Sequence, residues 1–299
     1  MTDVIIIGAG PAGLTAAIYA LRYGLSVLVF DKLFYGGQVA ITNEVENYPA
    51  FDRITGFELS SKLYEQATRL GADIRIEEVL SVQLNTKTKS VHTTHGTYES
   101  KTVIIANGVQ RKKLGCEGEE LLTGHGVSYC ATCDGAFYKG KIVAVVGGGN
   151  TALEDALYLS SLCKQVILIH RRDVFRADHS LIDSLNRIQN ISVKFQTTVE
   201  KILGQNSVEA LEIKTSGQTD HLSVDGIFIS IGLIPENQLY KTALPLDEQG
   251  YFAIGEECLT PIAGVFVAGD SRSKPLRQII TAAADGAVAA YQASNFIHR

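Results

Sequence analysis

Tryptophan is absent from the 299 residues, so any visible colour would have to come from a bound cofactor, with 12 tyrosines the main ultraviolet absorbers. No apolar run approaches the roughly 18 residues that cross a bilayer, so no membrane association is expected. The chain passes from Met1-Thr2-Asp3 straight into a strand-like run, without a charged leader or cleavage site. Export is therefore not expected, and a cytoplasmic location is. A strongly basic balance is also lacking: the net charge of -5 argues against a nucleic-acid partner. Cysteine is scarce, and five residues so scattered do not make a disulfide framework. Only Cys130 and Cys133 stand in a C-x-x-C pair. A structural zinc site wants four ligands, and neither a second C-x-x-C nor a histidine at finger spacing exists, so no metal is expected. Cys116, Cys163 and Cys258 read as small buried residues.

Glycine is plentiful and patterned. Val4-Ile5-Ile6-Ile7 reads as a strand buried on both faces. Gly8-Ala9-Gly10-Pro11-Ala12-Gly13 follows, then a helix over Leu14–Tyr23 and a strand over Ser26–Phe30 that ends at Asp31. In such a unit Gly8 makes the tight turn, Gly10 admits a pyrophosphate, and Gly13 lets helix and strand pack closely. The pyrophosphate meets the free N–H groups of the helix start. Asp31 is placed to accept from a ribose hydroxyl. Downstream, a surface helix is expected over Phe57–Gly71. Strands are expected at Asp73–Ile76, Ser81–Leu84, Ser90–Thr94 and Thr97–Tyr98, then at Lys101–Ile105, which ends in Ala106-Asn107-Gly108.

The pattern then repeats. Ile142–Val146 is a second strand, Gly147-Gly148-Gly149-Asn150-Thr151 its turn, Leu153–Cys163 a helix and Gln165–Ile169 the next strand. Asp31 stands 23 residues after Gly8, and at the same spacing from Gly147 stands His170, followed by Arg171, Arg172 and Arg176. Replacing the acid with cations changes the preference from a bare ribose to one carrying a 2′-phosphate, which a carboxylate would repel. The first site therefore suits an adenine dinucleotide without that phosphate, and the second suits NADPH. A helix over His179–Gln189 and strands at Ser192–Gln196, Val208–Lys214 and Gly226–Ser230 lead to a turn at Ile231-Gly232-Leu233-Ile234-Pro235. A last buried strand ends in Gly269-Asp270, and an alanine-rich helix closes the chain. Asp270 can accept from a polyol or simply form an Asx-turn.

Between the two glycine turns lies Cys130-Ala131-Thr132-Cys133-Asp134-Gly135. Cysteines two residues apart can cycle between dithiol and disulfide. Asp134 is placed either to exchange a proton with the pair or to cap a turn. A redox dithiol between two dinucleotide sites points to electrons passing from one cofactor to another and on to sulfur.

The C-A-T-C-D-G run between two Rossmann signatures, together with His170-Arg171-Arg172 and Phe175-Arg176-Ala177, resembles the low-molecular-weight thioredoxin reductases. Gly36-Gly37-Gln38, Val45–Pro49, Gly269-Asp270 and Arg277-Gln278-Ile279 extend the likeness along the whole chain. The resemblance implies an α/β protein of two Rossmann-like, three-layer ββα domains, the second inserted in the first. It implies an FAD domain over 1–111 and 241–299 and an NADPH domain with the dithiol over 112–240, in a homodimer. By resemblance, Gly8, Gly10, Pro11, Ala12, Gly13, Asp31, Gly37, Gln38 and Asn47 would line FAD. Ala106, Gly108, Gly269, Asp270, Arg277, Gln278 and Ile279 would complete that site. Gly147, Gly149, Asn150, Thr151, His170, Arg171, Arg172, Arg176, Ile231 and Gly232 would hold NADPH. Cys130, Cys133 and Asp134 would carry electrons and a proton to oxidised thioredoxin, Cys133 facing the flavin, with hinges near 111 and 240 letting the domains rotate. Asn107 and Ala284 depart from the family pattern near the flavin. Another dithiol protein, such as a glutaredoxin-like or peroxidase-linked domain, is a rival acceptor. A ferredoxin-linked flavin reductase would share the architecture without needing the dithiol, and a nucleotide-binding module would show no turnover at all.

Overall fold

The computed structural model describes residues 1–42 and 44–298; Asn43, two residues ahead of the Val45–Pro49 run and read from sequence as the start of a loop of turn residues, and Arg299 lie outside it. The chain opens with β1 (Thr2–Ile7), α1 (Pro11–Arg22) and β2 (Val27–Asp31), followed by α2 (Gly56–Arg69) and β3 (Asp73–Ile76). In β1, Val4 and Ile6 point to one core and Ile5 and Ile7 to the other, so the strand is apolar throughout because both its faces are covered. α2 starts where Thr55 accepts the Glu58 N–H at 3.1 Å, and it gives way at Gly71, whose φ of +103° favours a residue without a side chain.

The antiparallel strands β4 (Val79–Gln83), β5 (Lys89–Thr93) and β6 (Thr97–Ile105) follow, with β6 also running parallel to β1. β6 joins what the sequence pattern reads as two strands, because its polar residues are satisfied in place. The Ser100 hydroxyl donates to Thr102 O at 2.8 Å and the Thr102 hydroxyl to Asp3 O at 2.9 Å.

After β7 (Val109–Arg111) come β8 (Val127–Ser128), the single turn α3 (Ala131–Asp134), β9 (Ile142–Val146), α4 (Asn150–Ser160) and β10 (Gln165–Ile169). α5 (His179–Asn186), β11 (Ile191–Lys194), the meander β12 (Thr197–Leu203), β13 (Ala210–Thr215) and β14 (Gln218–Ser223), and β15 (Gly226–Ile229) complete this segment. The chain returns through β16 (Leu233–Pro235), β17 (Val265–Val267) and α6 (Ile279–Ile297).

Two compact units result, 1–110 with 234–299, and 111–233. In the first, the strand order β3-β2-β1-β6 is parallel, and β17 joins β6 in parallel. In the second, β11-β10-β9-β15 repeats that order and β8 joins β15 in parallel. Helices cover one face of each sheet and an antiparallel meander the other, giving three-layer α/β units, the second inserted in the first.

The second crossing falls at 233/234, ahead of the 240/241 expected from sequence. The Asn237 amide donates to Gly250 O at 3.0 Å and Ser271 O at 2.9 Å, and Tyr240 is buried in the first unit's core. Leu233–Pro235, read as a turn, is β16, paired with β7. α4 begins at Asn150, before the expected Leu153, and α5 ends at Asn186, short of Gln189.

In the first unit α1 and α6 pack alanine on alanine. A Cβ on Gly286 would sit 2.1 Å from Ala12 O, so that position holds glycine for closeness of approach.

Candidate active site and nucleotide cradles

The first glycine turn is built by close contacts that exclude side chains. A Cβ on Gly8 would stand 2.2 Å from Ala106 O, and one on Gly13 would stand 1.8 Å from Gly8 O. Gly10 caps α1 with nothing within 4 Å of a Cβ position, so the approach to the helix start is open. Pro11 at the first helical position gives up no needed donor. Asp31 ties the turn to β2: Ala9 N–H donates to one carboxylate oxygen at 2.7 Å and Leu33 N–H to the other at 3.2 Å. Gly36 N–H donates to Ala9 O at 2.7 Å, and a Cβ on the following Gly37 would stand 3.4 Å from the Gly10 Cα.

Residues distant in sequence close this cradle. Gly269 follows β17, and its N–H donates to Asp285 at 2.9 Å; a Cβ there would touch Ala12 at 2.9 Å. Asp270 Oδ1 is buried without a hydrogen-bond partner, and burial pushes the carboxyl up to about 6. The Asn47 amide donates to Gln278 Oε1 at 3.1 Å across 231 residues. Gln278 caps α6, with Thr281 completing a reciprocal box. Arg277 lies over the Tyr251 ring at 4.0 Å and donates to Asp270 O at 3.2 Å, while Ile279 begins the helix.

Of the first-unit residues singled out from sequence, Gly8, Gly13, Asp31, Gly37, Ala106 and Gly269 contact the turn and first residues of α1, while Asn47, Asp270, Arg277 and Gln278 are linked to one another in pairs. Asn107 turns its amide to Glu236 O at 2.8 Å and Asn237 Oδ1 at 3.1 Å, and Ala284 is exposed on α6. Free helix N–H groups, glycine clearance and an unpartnered buried carboxylate oxygen together fit a dinucleotide with a polyol, as FAD is. Sequence reasoning missed the clamp beneath. Arg272, 1% exposed, donates twice to Asp285 at 2.8 Å, and Lys274 donates once at 2.9 Å. Nothing in local periodicity marks residues 11 to 13 apart as partners.

In the second unit a Cβ on Gly147 would stand 2.4 Å from Ser230 O, and Gly149 caps α4 with open space around it. The basic loop folds back onto this turn, where Arg176 N–H donates to Gly148 O at 2.7 Å and Asn150 pairs with Asp178 at 2.8 and 2.9 Å. Thr151 is exposed in the first turn of α4. Arg171, Arg172 and Arg176 make no ion pair among the described residues, so three guanidinium groups are available to an anion beside the helix start. That donor set fits a nucleotide with an extra phosphate.

His170 does not join the arginines. Its ring is buried against Gly148, Phe175 and Phe195 with Nε2 3.0 Å from Val174 O, and burial lowers its basicity. It shapes the loop and adds no charge. Ile231 and Gly232 follow β15, and Lys112 N–H donates to Gly232 O at 3.0 Å.

The dithiol sits directly after β8. Cys130 and Cys133 are joined as a disulfide across α3, with Cys133 N–H and Asp134 N–H donating to Cys130 O at 3.3 and 3.1 Å. Burial raises the Asp134 carboxyl above its ordinary value, against the opposing pull of Ser128 and Arg111. Ser128, which sequence reasoning passed over, donates to Asp134 Oδ2 at 2.6 Å and accepts from Cys130 N–H at 3.1 Å. Behind the pair, buried Glu119 accepts from Leu114 N–H, Gly115 N–H and the Tyr129 hydroxyl at 2.7 to 2.9 Å. Arg111 covers the Tyr129 ring at 5.5 Å.

A disulfide on one turn, a raised carboxyl beside it and two glycine-turn cradles define a nucleotide-dependent disulfide oxidoreductase. The pyridine nucleotide-disulphide oxidoreductase family matches residues 2–286, and this chain belongs to that family. A thioredoxin reductase of Listeria innocua is 42% identical over 298 residues, covering 99% of this chain and 93% of the relative. The crystal structure of a thioredoxin reductase from Streptococcus pyogenes superposes with a TM-score of 0.94 at 39% identity, covering 100% of this chain and 98% of that one. A ferredoxin-flavin thioredoxin reductase from Clostridium acetobutylicum superposes with a TM-score of 0.54 at 32% identity, covering 99% and 98%. Among the described residues, no helix is long and apolar enough to cross a membrane.

Proposed function

We propose that this chain is an NADPH-dependent flavoprotein that reduces the disulfide of thioredoxin. When bound, FAD and NADPH supply the redox chemistry, the two electrons of a hydride being carried to sulfur. The protein's own residues hold and direct it. The start of α1 takes the FAD pyrophosphate, Asp31 a ribose hydroxyl and Asp270 the ribityl chain. The start of α4 takes the NADPH pyrophosphate, and Arg171, Arg172 and Arg176 its 2′-phosphate.

Reduction of one disulfide takes two electrons and two protons and leaves two thiols. Asp134, whose carboxyl burial pushes up from its ordinary value, hands one proton to a departing sulfur and recovers it from water. A thiolate of the reduced pair then attacks the thioredoxin disulfide, and the resulting mixed disulfide is displaced by the second cysteine. The single observation that carries this reading is the Cys130–Cys133 disulfide, held on the same turn as Asp134 in a chain with two nucleotide cradles.

Anaerobic titration with NADPH, followed by oxidised thioredoxin, tests it in the flavin absorbance. Bleaching by NADPH and recovery with thioredoxin is the expected result. Bleaching without recovery would move the acceptor to another dithiol protein. The Clostridium neighbour favours one second reading, ferredoxin as donor, in which NADPH leaves the flavin oxidised and reduced ferredoxin bleaches it. The three arginines without ion pairs argue for NADPH. We further propose a cytoplasmic homodimer. Light scattering should give about twice the chain mass of 32.3 kDa, and cell fractionation should place the protein in the cytoplasm.

A further inference from the structure

We propose that Ser128 is the positioning residue of the dithiol's acid, holding Asp134 and the Cys130 backbone in one register. This deepens the thioredoxin reductase reading and rests on Asp134 acting there as the acid. The geometry is a closed relay through one hydroxyl. Ser128 Oγ donates to Asp134 Oδ2 at 2.6 Å and accepts from Cys130 N–H at 3.1 Å, while Asp134 N–H donates to Cys130 O at 3.1 Å. A serine hydroxyl has one proton, so donating it to the carboxylate leaves only lone pairs to receive the Cys130 N–H. Carboxylate, hydroxyl and redox cysteine therefore fix one another's orientation.

The platform under this relay is rigid. Ser128 is buried on β8, where it pairs with Phe228 in the parallel sheet, so the hydroxyl approaches α3 from a strand and not from a loop. The charged and titratable groups facing Asp134 are Arg111, whose charge reaches it from β7, and Tyr138 on the following turn. Ser128 holds the carboxylate by a hydrogen bond of 2.6 Å from a fixed strand position, and so sets its direction. No further reactant is required: the proton Asp134 passes to sulfur is the one already counted for the thiol, and the hydroxyl retains its own.

The test measures alkylation of the NADPH-reduced holoenzyme by iodoacetamide as a function of pH, a readout that needs no thioredoxin. Ser128→Ala removes a hydrogen bond that favours the ionised carboxylate, so the limb governed by Asp134 should move up by about one pH unit. Ser128→Thr, which keeps the hydroxyl, should restore it. In an Asp134→Asn background Ser128→Ala should change the profile less than about twofold, because a residue that acts through another adds nothing once that other is gone. A Ser128→Ala profile that superposes on wild type, or equal losses with and without Asp134, overturns the proposal. If Ser128→Ala loses its flavin absorbance through misfolding, the Thr variant and the Asp134→Asn profile decide alone: a Thr profile displaced as far as that of Asp134→Asn counts against Ser128. Failure of wild type to reduce thioredoxin would strike the parent reading and leave this comparison intact.

Discussion

The two halves of this protein share a strand order, a glycine turn and a helix start, and they differ in what stands at the strand ends. β2 ends in Asp31, whose two oxygens accept from Ala9 and Leu33 N–H. After β10, at the same spacing, comes buried His170, which leaves the charge to three arginines around it. The outer strands diverge in the same way. β17 and β8 occupy matching places beside β6 and β15, yet one delivers Gly269-Asp270 and the other Tyr129-Cys130. The shared scaffold thus leaves two open helix starts, and the two halves are told apart by a few residues at or just past the carboxyl ends of parallel strands, where open α/β sheets place their ligands.

The largest expected effect removes what only the second half has. Cys130→Ser or Cys133→Ser should abolish thioredoxin turnover while leaving flavin bleaching by NADPH intact. Loss of both would mean that the dithiol supports the fold and that the two cradles do not work independently of it.

Next comes the contrast between Asp31 and the arginines. Replacing Arg171, Arg172 and Arg176 with glutamine should lower kcat/KM for NADPH about 100-fold, equivalent to about 2.7 kcal/mol, while charge-assisted bonds typically contribute roughly 1.5–3 each. NADH should change far less, because it carries no 2′-phosphate. Steady-state kinetics with both nucleotides decides this; unchanged discrimination would assign the loop to solvent alone. His170→Ala should leave the preference in place and destabilise the loop, because that ring packs and carries no charge.

A smaller effect compares glycines within and between the turns. Gly13→Ala drives a methyl group to 1.8 Å from Gly8 O, which only backbone movement relieves. It should cost about 1–3 kcal/mol and lower Tm by several degrees. Gly10→Ala and Gly149→Ala meet nothing within 4 Å. Both should leave apoprotein Tm unchanged, and each should weaken only the nucleotide of its own half. Thermal unfolding with and without each nucleotide checks this.

Much of this is legible in the chain itself, for a physical reason. Gly8, Gly13, Gly147, Asp31 and the Cys130–Cys133 pair act through local geometry, and local geometry leaves fixed spacings in sequence. The ββα architecture follows from the same repeat. The strands β12 and β14 on either side of β13 are not legible, because the buried residues of β12 are interrupted by threonine, glutamate and lysine, β14 is polar and almost wholly exposed, and the pairing of both is settled by β13 between them. Nor are Ser128, Glu119 and the Arg272–Asp285 clamp. Each is a polar residue whose meaning lies in a partner that the fold brings to it, and a sequence shows the residue without the partner. His170 is the instructive case: its spacing marks the right strand end, but its charge is decided by burial, which spacing does not carry.

The smallest effect is a pH dependence that separates the two acids of the FAD cradle. Asp31 already accepts two backbone N–H groups, whereas Asp270 keeps an oxygen without a partner and its carboxyl sits at about 6. An unfolded aspartate titrates near about 3.9. Between about pH 4 and 6 the folded apoprotein therefore holds a proton that the unfolded chain has lost, and this group's contribution to apoprotein stability falls as pH rises through that window. Hydroxyl groups donating to Asp270 favour its ionised form, so FAD binding should release that proton. The FAD dissociation constant, measured by flavin fluorescence quenching, should be flat from about pH 8 to 7. It should then rise toward tenfold per pH unit below about 6. Asp270→Asn should remove the slope and leave a uniformly weaker site, while Asp31→Asn should weaken binding and keep the slope. A slope that follows Asp31 would reverse the roles of the two carboxylates and leave Asp270 as a turn residue.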